Sequence, residues 1–210
     1  MRKEKLNELK DLLNSLKVLK LEKVHEPNSF IKGEVYNCSL NNGKTIKREK
    51  LLKGNKDGSA VIILPIINDN EVILTVEPRV FTKRTVGVGL PAGFIEPNEK
   101  PINAALRELQ EETGYTSDDL IYLGGFYQDM GCSSAYNRSF IALNCKKISE
   151  QNLDKDEHVK FFTCYYEEAL ELMKKGYIEG CNAIITLDRS KEYLLRRKKW
   201  SLIVKKKQKE

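Results

Sequence analysis

The chain has 210 residues, 40% hydrophobic and 31% charged, with 13 Gly, 6 Pro and 5 Cys. That length supports one ordinary domain, or one with a small appendage, and a composition of this kind builds a hydrophobic core rather than a collagen-like or disordered chain. The longest apolar run, Ala60–Ile67, carries Pro65 and falls short of the ~20 residues a bilayer span needs, and the N-terminus alternates charge with leucine, so neither a membrane segment nor a secretory leader is expected.

The five cysteines (Cys38, Cys132, Cys145, Cys164, Cys181) are odd in number and scattered, which argues against a disulfide framework or a zinc site and for reduced thiols in a cytoplasmic chain. With only His25 and His158 against 30 acids, any mechanism leans on carboxylates. The net charge is +6, but residues 196–210 alone hold eight Lys/Arg and one acid, leaving the rest of the chain near neutral. A solvated helix end with a frayed basic terminus explains this tail, and nucleic acid is not an expected partner.

In chain order, Leu6, Leu9, Leu12, Leu13, Leu16 and Leu19 recur at helical spacing and predict an amphipathic helix. Strands are predicted at Phe30–Tyr36 and Thr45–Leu52 around the turn Asn41-Asn42-Gly43. The breaker Gly54–Gly58 marks a boundary, giving a small first domain over 1–56, a main domain over 57–195 and the basic tail over 196–210. Ala60–Ile67 and Glu71–Glu77 read as a hairpin across Asn68-Asp69-Asn70, and Thr85–Leu90 as a further strand. A helix follows, with Asn98 as N-cap, Pro101 in its first turn, an apolar stripe of Ile102, Ala105, Leu106 and Leu109, and Gly114 as a left-handed C-cap. Strands at Leu120–Gln128, Ser139–Cys145 and Lys160–Cys164 and helices at Glu167–Lys175 and Asn182–Arg197 complete an α+β pattern with helices against a mixed sheet.

On the central helix Glu108, Glu111 and Glu112 stand at i, i+3 and i+4 and share one face without an intervening cation. Carboxylates so placed repel each other and match the oxygen-rich donor sets of Mg²⁺ or Mn²⁺; a solvated acidic face is the plain alternative. The wider pattern bears on that choice. Gly93, then after five residues Glu99, and after seven more Arg107-Glu108-Leu109-Gln110-Glu111-Glu112-Thr113-Gly114-Tyr115, fill every fixed position of G-x5-E-x7-R-E-U-x-E-E-x-G-U, U being a bulky apolar residue. A chance match is of order 1 in 10⁸ starting points.

This segment resembles the signature of the Nudix hydrolases. The resemblance implies an α/β/α sandwich with a mixed sheet, preceded here by a small β-rich N-terminal domain, and Mg²⁺-dependent hydrolysis (Mn²⁺ substituting) of a nucleoside diphosphate linked to another moiety. It implies Glu108, Glu112 and Glu111 as metal ligands with the carbonyl of Ala92, Arg107 as the group orienting Glu111, and Gly93, Glu99 and Gly114 as structural members of the motif, Gly93 permitting a tight loop. Leu90-Pro91-Ala92-Gly93-Phe94-Ile95-Glu96, Val76-Glu77-Pro78-Arg79 and the pattern near Gly176-Tyr177-Ile178 are similar to the ADP-ribose pyrophosphatase branch. By that likeness Arg79 contacts substrate phosphates, Glu157 is the loop base with Asp156 as its alternative, Gly131 and Ser133 line the substrate pocket, and the enzyme is a homodimer. The stretch Tyr127–Ser134 lacks the proline usual in the branch, which leaves open a sugar nucleotide, a dinucleoside polyphosphate or capped RNA as substrate, or a non-catalytic ligand sensor. Cys132, with no histidine nearby in sequence, reads as pocket wall rather than nucleophile. Phe30, Tyr36, Phe81 and Tyr127 are candidates for stacking a base.

Overall fold

The computed structural model describes residues 1–207 apart from His25, Asn28, Ser29, Asn55 and Asp69, with the backbone alone from 196 to 207. Helix α1 (Lys3–Ser15) precedes a hairpin of β1 (Ile31–Ser39) and β2 (Thr45–Lys53), which turns where the sequence predicts, with Gly43 in the left-handed region at φ 80°. Then come β3 (Ala60–Pro65), β4 (Glu71–Pro78), β5 (Val86–Gly89), β6 (Ala92–Phe94), α2 (Pro101–Thr113), β7 (Tyr115–Thr116), β8 (Asp119–Tyr127), β9 (Tyr136–Leu143), β10 (Lys146–Lys147), β11 (Lys160–Tyr165), α3 (Tyr166–Lys174) and α4 (Cys181–Lys207).

Two sheets form the frame. One runs β6-β3-β9-β8, with β3 and β9 parallel and the other pairs antiparallel; the second is the antiparallel β11-β4-β5. β3 is buried on both faces and its alternation separates two cores. Val61 and Ile63 pack with Ala104, Ala105 and Leu109 of α2, while Ile62 and Leu64 join Leu9 of α1, Leu172 of α3 and Leu187 of α4. Helices thus cover both faces of a mixed sheet, and each fully buried Leu or Ile contributes ~1.5–3 kcal/mol.

Several expectations need correcting. β3 and β4 are not a hairpin: apart from one bridge, Ile66 to Val72, they diverge into different sheets, because β3 is taken up beside β9 and β4 beside β11. The N-cap of α2 is Lys100, with Pro101 at N1; Asn98 instead has φ 65° in the turn before the helix. Ile102 is exposed, and the buried stripe runs through Ala104, Ala105 and Leu109, since the adjoining face must carry Glu108 and Glu112 inward. Helix α1 packs on the main domain, against β4 and β11. Its Leu9, fully buried, lies in the main core, and Arg2 forms hydrogen bonds to Glu168 at 2.8 and 3.1 Å while stacking over Tyr165. The backbone of α4 stays helical to Lys207, beyond the predicted end at Arg197; the side chains of the basic tail lie outside the described residues. No helix among the described residues is long and apolar enough to cross a membrane.

Candidate active site

The site is built around α2. Glu108 and Glu112 are buried, 8% and 6% exposed, and Glu111, one turn from Arg107, is half-buried. Arg107 gathers the neighbourhood. Its Nη1 donates to Glu108 at 2.7 Å and to Glu111 at 2.9 Å, its Nε and Nη2 donate to Glu99 at 3.0 Å, and Nη2 also donates to the Phe94 carbonyl at 2.9 Å. One guanidinium therefore orients two helix carboxylates and fastens the 94–99 turn to the helix, using the several donors that only Arg offers. Glu99 accepts the Glu96 N–H at 2.9 Å as well, and Arg107 holds its carboxyl below the usual range.

Gly93 lies in β6 with no positive φ, so the tight-loop role expected for it does not apply. Its requirement is proximity: a Cβ there would lie 2.0 Å from Cδ of Glu108. Gly114, at φ 76°, closes α2 as the left-handed cap, and a Cβ there would strike the Ser149 carbonyl at 2.1 Å. The Ala92 N–H donates to Glu112 at 3.2 Å, which places the residue expected to lend its carbonyl directly beside that acid.

A cavity of about 1010 Å³ opens over these residues. Its second wall comes from β4, the loop that follows it and β5. Glu77, which the sequence analysis passed over, faces Glu112 here and pairs with Arg79. Its signal was its place in the strand alternation, in register with buried Ile73 and Thr75. Gly87 leaves room for the Arg79 stem, since a Cβ would stand 2.7 Å from Arg79 Cγ. The third wall is the 152–159 loop. Glu157 is exposed there, in a turn where its N–H donates to the Asp154 carbonyl at 3.0 Å, and it lines the cavity together with Asp154 and Asp156. Tyr177 and the start of α4, Cys181 and Asn182, close the far side.

Two residues expected at the substrate are elsewhere. Gly131 and Ser133 do not line this cavity: the N–H of Gly131 donates to Asp129 Oδ1 at 2.9 Å, that of Ser133 donates to the Asp129 carbonyl at 3.0 Å, and the loop is pinned to the hairpin by Leu51 N–H donating to the Cys132 carbonyl at 2.7 Å. Asp129 also accepts from the Cys132 thiol at 3.0 Å and pushes its pKa up, the reverse of what a nucleophile needs. Of the four aromatic candidates, Phe30, Tyr36, Phe81 and Tyr127, none lines the cavity; Phe94 and Tyr177 do.

The electrostatics show which kind of ligand the acids suit. Burial, then Glu77 and Glu108, drive the Glu112 carboxyl well above its ordinary range, and burial brings Glu108 to about 7 against the opposing pull of Arg107. Burial also raises Glu77, with Glu157 adding to it. Arg107 is committed to Glu99, Glu108 and Glu111, so Glu112 meets a peptide N–H and like charges. A buried acid in that position fits a divalent cation, and the donors available, carboxylate oxygens with the Ala92 carbonyl alongside, are those of Mg²⁺ or Mn²⁺. Among the described residues no three acidic, His or Cys side chains are gathered around a single point, and Glu108 and Glu111 both turn to Arg107.

The family model described as NUDIX domain matches residues 56–189. The chain belongs to the Nudix family. It is 36% identical over 141 residues to an ADP-ribose pyrophosphatase of Bacillus subtilis, covering 67% of this chain and 74% of that one. It is 30% identical over 172 residues to a methanol dehydrogenase activator of Bacillus methanolicus, covering 81% and 90%. A crystal structure of an ADP compounds hydrolase superposes with a TM-score of 0.70 at 24% identity, covering 85% of this chain and 94% of that chain; at that identity the likeness is one of fold. The Nudix match begins at residue 56, just after the hairpin, and includes the cavity's lining residues apart from Lys53 at the end of β2.

Proposed function

We propose that this Nudix pyrophosphohydrolase cleaves the pyrophosphate bond of a nucleoside diphosphate linked to another moiety, with ADP-ribose as the first choice and AMP and ribose 5-phosphate as the products. The observation that carries the reading is the meeting of Glu112, Glu108 and Glu77 in one cavity with Arg79 across from α2, an acid-lined bed with a cation at its rim. The name of the Bacillus subtilis relative supports ADP-ribose within that class.

In this reading Glu108, Glu111, Glu112 and the Ala92 carbonyl would hold Mg²⁺, or Mn²⁺ in its place, which would supply charge neutralisation at the phosphates and a more acidic water. The protein's own groups do the rest. Arg107 fixes Glu108 and Glu111 in direction, a role of orientation rather than contact with substrate. Arg79 meets the phosphates with a planar, multiply donating cation, for which it exchanges its pairing with Glu77. Glu157, on the loop, accepts the proton of the attacking water, since the helix carboxylates are committed to the metal and to Arg107 while a loop carboxylate is free to approach. Phe94 and Tyr177 offer apolar surface to the nucleoside.

We further place the enzyme in the cytoplasm, on the strength of five free cysteines, and read it as a homodimer joined through the β1–β2 hairpin. That ribbon exposes Ile31, Val35, Tyr36 and Leu40, and two strands alone hold little structure without a partner surface.

A panel of nucleoside diphosphate derivatives, assayed with Mg²⁺ and with EDTA, tests the function. Products are separated by chromatography and phosphate is counted after alkaline phosphatase. ADP-ribose turned over to AMP and ribose 5-phosphate, and nothing in EDTA, is the expected result. Turnover restricted to dinucleoside polyphosphates or capped RNA refutes the substrate, and turnover undiminished by EDTA refutes the site.

A further inference from the structure

Among the described residues three non-glycine residues have positive φ: Asn98, Asn144 and Thr85. Asparagine accepts that region readily, whereas a β-branched side chain does not, so Thr85 at φ 59° is the one whose backbone the surroundings must impose. Its position is informative. Thr85 ends the loop that starts at Arg79, and the two residues close it against each other: the Arg79 N–H donates to the Thr85 carbonyl at 2.9 Å. Inside that closure Thr82 N–H donates to the Arg79 carbonyl at 2.8 Å and Thr85 N–H to the Thr82 carbonyl at 3.0 Å. The Arg79 backbone therefore goes where Thr85 goes.

What holds Thr85 comes from outside the loop. Its Oγ1 accepts the N–H of Val18 at 3.1 Å, from the segment that leaves α1. That segment is itself anchored, by Leu12, Leu13 and Leu16 against the main core and by Lys160 donating to Ser15 at 3.0 Å. Next to Thr85, Arg84 hydrogen-bonds the Gly176 carbonyl and lies over the Tyr177 ring, 5.1 Å from its centroid. A left-handed threonine thus links the segment after α1, the loop bearing Arg79 and the far wall of the cavity.

We propose that Thr85 is a positioning residue for substrate binding: tied by Val18, its left-handed backbone sets Arg79 in the cavity, and the segment after α1 thereby forms part of the binding machinery. The inference rests on the phosphate role proposed for Arg79. Backbone strain of this kind persists where surrounding contacts over-determine it. An arginine that must meet phosphate with two donors gains from a backbone fixed before substrate arrives, because a preorganised group loses less freedom on binding.

The test uses Thr85→Val, which keeps the shape and removes the acceptor, and Thr85→Asn, which tolerates the left-handed region and restores an acceptor for Val18. Thr85→Val should raise KM for ADP-ribose about tenfold with kcat within about twofold, and Thr85→Asn should recover most of that loss. Combined with Arg79→Ala, Thr85→Val should add less than about twofold, since the two act on one interaction. A residue that only supports the fold lowers Tm and multiplies with Arg79→Ala; that result, or an unchanged KM, overturns the proposal. Amide exchange at Arg79 and Thr82 gives a reading that needs no substrate: about tenfold faster exchange in Thr85→Val is expected, and unaltered exchange overturns the tie. Faster exchange in a protein whose wild type turns over no substrate of the panel rejects the hydrolase reading while leaving the tie standing.

Discussion

Gly93→Ala isolates the carboxylate geometry with the smallest possible change. The added methyl carbon would stand 2.0 Å from Cδ of Glu108 and 2.1 and 2.2 Å from its two oxygens, where ordinary contact begins near 3.4 Å. Either β6 or the Glu108 carboxylate must retreat by about 1.4 Å. β6 is paired with β3 through Ala60–Phe94, Val61–Gly93 and Ile62–Ala92, whereas Glu108 can turn about its own bonds, so the carboxylate gives way and its 2.7 Å bond with Arg107 breaks. Displacement of a reacting-site group by ~1 Å costs about 10²-fold in rate, and kcat for ADP-ribose should fall by that much or more. Tm should move by only a few degrees, because alanine is not penalised in a strand with this ordinary backbone. Glu108→Ala removes the colliding atoms, so adding Gly93→Ala to it should cost little further. The assay is AMP formation by chromatography beside scanning calorimetry. Near-native kcat in Gly93→Ala, or a full multiplicative loss in the double variant, would refute the argument that this glycine exists to admit Glu108.

Glu112→Gln keeps the shape and removes one anion, and should cut kcat by about 10³. In EDTA the same variant should be more stable than wild type at pH 8. Acids whose folded pKa is raised, Glu108 to about 7 and Glu112 also upward, stabilise fully below the unfolded value near 4.5 and lose that contribution as pH rises through the folded value. Wild-type Tm in EDTA should accordingly fall between pH 5 and 8 and the Glu112→Gln advantage widen, as calorimetry at several pH values would show. Glu168 runs the other way: Arg2 holds it down to about 2, so its contribution is complete above about pH 4.5 and lost as pH falls through the folded value. The Tm deficit of Glu168→Gln should therefore be constant near neutrality and narrow steadily below pH 4.5.

The helix acids were legible because their chemistry is written in a fixed spacing on one regular element, where i, i+3 and i+4 leave no freedom. Residues 107–114 needed nothing but helix geometry to be placed together. What escaped depended on contacts between elements distant in the chain. Glu77 sits on a strand whose partner acid, Glu112, lies thirty-five residues later, and the strand alternation that turns it inward does not say which group it meets there. The failure at Asn68–Asn70 has the same origin: a turn signal marks a reversal, yet which sheet each strand joins is set by β9 and β11, both far downstream. Asn98 misled because a good capping residue competes with a good turn residue, and here the need of Arg107 for Glu99 moved the helix start to Lys100. The family likeness that puts Gly131 and Ser133 at the substrate rests on the position of their loop, which does not say that Asp129 will fold that loop upon itself.

The division of labour among the acids leads to the last prediction. Glu108 and Glu111 are bound to Arg107, and in the proposed site they and Glu112 would be committed to the metal, so none of the three is spared to take a proton from an attacking water. Glu157 differs from them in kind. It is exposed and belongs to a loop rather than a helix, held by one turn that closes on Asp154, yet it stands near enough to raise Glu77, Glu108 and Glu112 by its charge. A short movement of such a loop brings the carboxylate to the substrate without disturbing α2. Glu157→Gln keeps size and hydrogen bonding and removes basicity, so kcat should fall by about 10²-fold while KM and the rise in Tm on adding Mg²⁺ stay near native, the pattern of a group that acts on the transition state alone. Asp156→Asn shares the loop and the cavity and serves as the control, with a loss of no more than a few-fold. If Glu157→Gln is silent and Asp156→Asn is not, the base is the neighbour. If both are silent, the water loses its proton without help from this loop, and the catalytic groups all reside on α2 and the strands facing it.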